Sequence, residues 1–170
     1  MKYAIVYDSS TGNTARLAQA IATALPSKDC LYFGEVPATL PDVDMVFVGF
    51  WTYKGDCTPQ LATFLSSLRA VRVFLFGTAG FGGSNDYFAS ILDRVNASID
   101  SSNTLVGSFM CQGRMPEGVR KRYEDMLAEN PDDDRVRMMM ENFDVASVHP
   151  GEQDEKQVCS AALRALLGER

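Results

Sequence analysis

The sequence has few of the residues that build metal centres and histidine-based catalytic sites. It contains one histidine, His149, and four cysteines, none of which forms a C-x-x-C pair. Structural zinc sites and dithiol redox sites need closely spaced Cys or His ligands, and a Ser-His-Asp triad needs a histidine beside its nucleophile. We therefore predict no metal site and no catalytic residue of these kinds, and we interpret the cysteines as free, buried thiols. The cysteines are Cys30, Cys57, Cys111 and Cys159.

Long apolar runs and clustered positive charge are also missing. No run approaches the roughly 18 apolar residues that a membrane span requires, and the N-terminal residues lack the small-residue cleavage site of a signal peptide. The net charge of −6 would repel nucleic acid and anionic lipid, because no Lys and Arg cluster is present to neutralise phosphates. We expect a soluble, cytoplasmic protein that binds neither nucleic acid nor membranes. Its acidic surface serves either solubility or steering onto a basic partner.

Five short apolar runs recur along the 170-residue chain and are predicted to be strands. Most are continuous rather than alternating, which is typical of parallel strands covered by helices on both faces. The segments between them carry apolar residues at helical spacing. This alternation predicts an α/β protein with a doubly wound parallel sheet in a single domain, residues 1–170. The predicted strands are 3–7, 31–33, 45–50, 71–76 and 105–111.

Residues 114–149 interrupt the alternation and are predicted to be a helical insertion before the last helix. The insertion consists of two charged helices, at 117–129 and 133–142, separated by Asn130-Pro131. Its apolar residues are too few for a separate core, so we expect them to dock on the main domain. Acidic residues interleave with its basic ones, which favours a solvated helix surface over a basic docking face.

The residues after the first strand form a loop suited to a phosphate group. Hydroxyls and backbone N–H groups converge there on a helix N-terminus, whose partial positive charge favours an anion, and Gly12 allows close approach. The loop has neither the Lys of a nucleoside-triphosphate loop nor the glycine spacing of a dinucleotide turn, so a monophosphate fits best. A loop that only caps the helix is the alternative. The predicted phosphate-binding residues are Ser9, Ser10, Thr11, Gly12, Asn13 and Thr14.

The loops after the third and fourth strands mix aromatic residues with glycine. Ligands of open α/β sheets bind beyond the carboxyl ends of the strands at the topological switch point, so these loops should meet the phosphate loop. A planar flavin ring needs aromatic faces to stack on and backbone N–H groups at its pyrimidine edge. We predict that Trp51 stacks on the ring; Phe81 and Tyr87 are weaker candidates, since either suits the helix core. The predicted cofactor-binding residues here are Trp51, Thr52, Tyr53, Lys54, Gly55, Thr78, Ala79, Gly80, Phe81, Gly82 and Tyr87.

The pattern Ser-x-Thr-Gly-Asn-Thr after the first strand, with the two later loops in order, resembles the flavodoxins over nearly the whole chain. The resemblance implies FMN as the cofactor and a five-stranded sheet in the order 2-1-3-4-5. A closer likeness lies in residues 50–55, 76–78 and 109–115 and in His149-Pro150. It is to a branch of flavodoxin-like proteins from anaerobic bacteria that includes the accessory flavodoxin associated with bilirubin reductase.

This resemblance implies an electron-transfer protein that shuttles one or two electrons between redox partner proteins through FMN. It also implies that the peptide at Gly55 can reorient toward the flavin N5 on reduction, which glycine tolerates. The alternative is an FMN-dependent NAD(P)H reductase of a quinone or tetrapyrrole-like molecule, with the insertion and residues 111–115 roofing a pocket. A flavin-free phospho-acceptor is disfavoured, because Asp8 stands almost alone among carboxylates at the predicted strand ends.

Overall fold

The computed structural model describes residues 1–168 and contains a five-stranded parallel sheet. The strands are β1 (Tyr3–Tyr7), β2 (Cys30–Glu35), β3 (Met45–Trp51), β4 (Arg72–Ala79) and β5 (Thr104–Gln112). Their spatial order is β2-β1-β3-β4-β5, and every neighbouring pair is parallel. The predicted doubly wound sheet and its strand order are confirmed.

The burial of the strands follows their position in the sheet. The central strands β1, β3 and β4 are buried almost throughout, whereas the edge strand β2 alternates between half-buried and exposed positions. Strand β4 also runs three residues beyond its predicted end at Phe76. Thr78 and Ala79 extend it because they pair with Cys111 and Gln112 of β5. The predicted loop after this strand is therefore shorter and begins at Gly80.

Four helices cover the two faces of the sheet. They are α1 (Asn13–Ala24), α2 (Pro59–Ser67), α3 (Asn85–Asn96) and the last helix, Glu152–Leu167. Helix α1 and the last helix bury their apolar stripes against one face, and α2 and α3 bury theirs against the other. A short 3-10 turn, Ser27–Asp29, leads into β2. Within residues 1–168, no helix is both long and apolar enough to cross a bilayer.

The predicted helical insertion is present as α4 (Glu117–Glu129) and α5 (Asp134–Ala146), so the last helix is α6. Helix α5 extends past its predicted end, because Phe143 and Ala146 are buried. Met115, at the start of the insertion, packs on Gly80 of the main domain, whereas the buried apolar side chains of the two helices pack on one another. Tyr123, Val136 and Phe143 form a small cluster separate from the two sheet cores, with α4 packed on α5. Met138 is 68% exposed.

Two buried glycines in β3 and β4 leave space for aromatic rings of the neighbouring strand. A Cβ on Gly77 would lie 2.4 Å from Cζ of Phe50, and one on Gly49 would lie 2.4 Å from Cζ of Phe76. Close-packed interiors have no room for an additional methyl group at such distances. Glycine at these two positions is therefore required by space.

Gly77→Ala should lower the free energy of unfolding by about 1–3 kcal/mol, because the added methyl overpacks the core against Phe50. Denaturant unfolding measures this change. Gly118→Ala on α4 is the control, since a Cβ there meets no atom within 4 Å, and it should not reduce stability. Equal stability of Gly77→Ala and the wild type would contradict the close packing described above.

Candidate functional site

The carboxyl ends of β1, β3 and β4 bring the three predicted loops together at one edge of the sheet. Between them lies a cleft of about 290 Å³. A second cleft of about 530 Å³ adjoins it and extends along α1 to His149 and Pro150. Both clefts are lined by Thr11, Asn13, Arg114, Met115 and Pro116.

The loop after β1 presents a row of free amide groups. The backbone N–H groups from Ser10 to Thr14 have no hydrogen-bond partner within the described chain. Gly12 adopts φ +88° at the N-cap of α1, where a Cβ would have open space, so backbone conformation alone demands glycine. Ser9 Oγ accepts from Ala15 N–H at 3.2 Å and caps the helix. The arrangement matches the donor set that binds an anion at a helix N-terminus.

The side chains of this loop divide between surface and interior. Ser10 and Thr11 are exposed. Asn13 Nδ2 donates to Thr11 Oγ1 at 3.0 Å and to the carbonyl of Arg114 at 2.9 Å. Thr14 is fully buried, and its hydroxyl bonds to Phe50 O at 3.2 Å and Thr78 Oγ1 at 3.0 Å. The exposed hydroxyls are thus those of Ser10 and Thr11, while the Thr14 hydroxyl faces the interior.

Trp51 is oriented by a carboxylate from the end of β1. Its Nε1 donates to Asp8 Oδ1 at 3.2 Å, and its ring meets Tyr53 edge-on with centroids 5.5 Å apart. The second oxygen of Asp8 accepts from the hydroxyl of Thr58, which also caps α2. Asp8 therefore has a positioning role that its sequence context did not suggest. Trp51 lines the smaller cleft beside Thr52.

Residues Tyr53 to Asp56 form a two-residue hairpin turn. Tyr53 N–H donates to Asp56 O at 2.7 Å, and Asp56 N–H donates to Tyr53 O at 3.0 Å. Lys54 and Gly55 both have positive φ, +50° and +80°, which is the pattern of a type I′ turn. Arg94 Nη1 donates to Gly55 O at 2.9 Å. The carbonyl that the resemblance expects to reorient is therefore anchored to α3, a contact that the sequence did not reveal.

The backbone of Thr78 and Ala79 is already engaged in the protein. Thr78 O accepts from both the N–H and the hydroxyl of Thr52 at 2.9 Å, and Ala79 O accepts from Gly113 N–H at 3.0 Å. By contrast, the N–H groups from Gly80 to Gly83 have no partner within residues 1–168. These four amides are therefore free to bind a ligand, whereas the carbonyls of Thr78 and Ala79 already accept hydrogen bonds within the protein. The binding roles assigned to Thr78 and Ala79 stay predictions.

The two weaker aromatic candidates differ in exposure. Phe81 is 43% exposed. Tyr87 is half-buried against the core that α2 and α3 cover. It packs under Gly82, where a Cβ would lie 2.1 Å from Tyr87 Cδ1 and where φ is +96°. Phe81 is thus accessible to a ligand, and Tyr87 supports the loop.

The insertion attaches to the site through hydrogen bonds of Asn142 and through the packing of Met115. Asn142 Nδ2 donates to Gly80 O at 2.9 Å, and its Oδ1 accepts from Gln112 Nε2 at 3.1 Å. Met115 packs closely on Gly80. A Cβ added to Gly80 would lie 2.6 Å from Cγ of Met115. The sequence alternative placed residues 111–115 and the insertion as a roof over a pocket, but it assigned no individual binding role to Asn142, Met115 or Arg114. Only the position of Arg114, directly after a strand that ends at the same sheet edge, could have indicated one.

The cysteines do not contribute a nucleophile. All four are free; Cys57 and Cys111 are buried, whereas Cys30 and Cys159 are half-buried, which corrects the expectation for the latter two. Burial raises the pKa of Cys57 to about 12, with Asp56 adding to the effect. Burial also raises the pKa of Cys111, so neither thiol ionises near neutral pH. No cluster of three or more metal-ligating side chains occurs in the described part of the chain.

Comparison with known proteins identifies relatives over almost the whole chain. A model of the Flavodoxin domain matches residues 4–162. The Flavodoxin-like domain-containing protein BilS of Clostridium symbiosum is 38% identical, with 91% of this chain and 90% of the relative covered. The protein of the same name from Clostridioides difficile is 32% identical at the same coverage. A Lactobacillus acidophilus flavoprotein solved in complex with FMN shares the fold, with TM-score 0.50 and 18% identity over 71% of this chain and 97% of that one.

Asn142→Ala should detach the insertion from the loop after β4. The change leaves the Gln112 amide, which is 8% exposed, without its partner, at a cost of about 1–3 kcal/mol in unfolding free energy. Hydrogen exchange in α5 should accelerate, which mass spectrometry can follow. Glu141→Ala is the control, because Glu141 is an exposed neighbour whose side chain forms no hydrogen bond in the described residues. Unchanged exchange in Asn142→Ala would show that this contact does not hold the insertion.

Proposed function

This chain belongs to the flavodoxin domain family, and from that premise we propose that it binds FMN and carries electrons between redox partners. The observation that carries the proposal is the row of partner-free N–H groups from Ser10 to Thr14 at the N-terminus of α1. Such a row suits a terminal phosphate monoester. FMN, when bound, supplies one-electron and two-electron chemistry.

The donor set of the site fits the remaining parts of FMN. The amides from Gly80 to Gly83 can donate to the pyrimidine edge of the ring. Trp51 is held beside the same cleft by Asp8 and offers an aromatic surface for stacking. The hydroxyls of Ser10 and Thr11 add donors to the phosphate. These residues bind and orient the cofactor.

Electron transfer without substrate chemistry agrees with the lining of the smaller cleft. Among its lining residues within the described chain, Arg114 alone carries an ionisable side chain, and no carboxylate, histidine or cysteine is present. A general acid for protonating a bound substrate is therefore missing from this cleft as described. Tyr53 and Phe81 lie in the loops after β3 and β4, and their aromatic side chains are exposed. A protein partner could contact these side chains.

The larger cleft favours a second candidate, an FMN-dependent NAD(P)H reductase of a quinone or tetrapyrrole-like molecule. Its volume of about 530 Å³ is within the range of small-molecule sites. His149 lines it, with Nδ1 bonded to Oδ2 of the buried Asp154 at 2.7 Å. This pairing fixes the orientation of the imidazole, and Nε2 has no hydrogen-bond partner within the described residues.

The purified protein should show the visible absorption of FMN. Oxidation of NAD(P)H by the purified protein then separates the two candidate functions. A carrier should not oxidise NAD(P)H with a quinone as sole acceptor in the absence of other proteins, whereas a reductase should. Colourless protein that takes up no added FMN would refute both.

Ser10→Ala should weaken FMN binding by roughly tenfold or more, because a hydrogen bond to a charged group is worth about 1.5–3 kcal/mol. The Ser10 hydroxyl has no partner within the described residues, so the change leaves the internal contacts intact. Titration of flavin fluorescence measures the Kd. Ser160→Ala on the exposed side of α6 serves as the control. Equal affinity of Ser10→Ala and wild type would remove this hydroxyl from the proposed site.

A further inference from the structure

The phosphate loop has no cationic side chain of its own. A phosphate monoester carries a charge of about −1.5 to −2 at neutral pH. The N-terminus of a helix supplies only about +0.5 of an elementary charge. None of the residues from Ser9 to Thr14 is basic, so any further compensation must come from outside the loop.

Two arginines, Arg16 and Arg114, line the larger cleft beside this loop. Arg16 already forms an ion pair within the protein. Arg16 Nε pairs with Glu155 Oε1 at 2.5 Å, and its Nη1 donates to Pro150 O at 2.6 Å. Its charge is therefore neutralised by α6. Arg16 stabilises the packing of α1 on α6 and is not available to a ligand.

Arg114 is held in place by hydrogen bonds to carbonyl and amide groups, and no carboxylate neutralises its positive charge in the described residues. Its carbonyl accepts from Asn13 Nδ2 at 2.9 Å, its N–H donates to His149 O at 2.8 Å, and its Nε donates to Ser147 O at 2.9 Å. Its only side-chain hydrogen bond within the described part of the chain is this one from Nε, and it forms no ion pair there. It lines both clefts together with Thr11 and Asn13.

We propose that Arg114 is a cationic ligand of the phosphate bound by the Ser9–Thr14 loop, so that the insertion completes the cofactor site. This inference rests on the proposed binding of FMN. The Nη groups donate charge-assisted hydrogen bonds to phosphate oxygens, which guanidinium geometry suits. The Asn13 contact fixes the start of the insertion against the loop that the phosphate occupies. Glu117 lines the same cleft and opposes the attraction.

The test compares FMN with riboflavin, which has the same ring but no phosphate. We expect Arg114→Gln to weaken FMN binding by at least about tenfold while riboflavin affinity changes less than twofold. Arg114→Lys keeps the charge and should recover part of the loss. Lys121→Gln removes one positive charge from the exposed face of α4 and should leave both affinities unchanged. Thermal unfolding of each variant verifies that it is folded.

Glu117→Gln should change FMN affinity in the opposite direction to Arg114→Gln. Removing this carboxylate should tighten FMN binding without affecting riboflavin, a gain that damaged folding cannot produce. Unchanged FMN affinity in Arg114→Gln, or an equal loss for FMN and riboflavin, would overturn the role of Arg114 while leaving FMN binding itself intact. A wild-type protein that binds no FMN would instead overturn the proposed function and this inference together.

Discussion

Parallel pairing of the strands is the constraint on which the rest of the structure depends. Because β1, β3 and β4 run in the same direction, all three end at one edge of the sheet, and their loops must share it. These strands are buried on both faces, so a shift of register would place side chains in closely packed environments of the wrong size. Gly49 and Gly77 maintain that register by admitting the rings of Phe76 and Phe50.

Buried and half-buried polar contacts beneath the site then position the loops. Asp8 joins Trp51 to Thr58, so one carboxylate orients the candidate stacking residue and the N-cap of α2. The hydroxyls of Thr14 and Thr78 bond to each other and join the start of α1 to β4. Such contacts are expensive to leave unsatisfied away from water. They support the exposed donors, which would otherwise have no fixed geometry.

The insertion is attached by a different kind of interaction. Its helices bury apolar side chains against each other, so its connection to the sheet depends on the packing of Met115 on Gly80 and on individual hydrogen bonds. Asn142 binds the loop after β4, and Asn13 binds the main chain of Arg114. Both contacts involve loops that the proposed cofactor would touch. Occupancy of the site and docking of the insertion are therefore expected to be coupled.

Sequence patterns located the five strands, the helices and the loop after β1, because burial periodicity and turn chemistry are local properties of the chain. The strand order required the resemblance to flavodoxins. Tertiary structure alone decided that the Thr14 hydroxyl points inward, that β4 continues through Thr78 and Ala79, and that Arg94 holds Gly55. It also brought Arg114 to Asn13, 101 residues earlier in the chain. Each of these depends on pairing between distant segments, and periodicity reports how deeply a residue is buried but not which partner it meets.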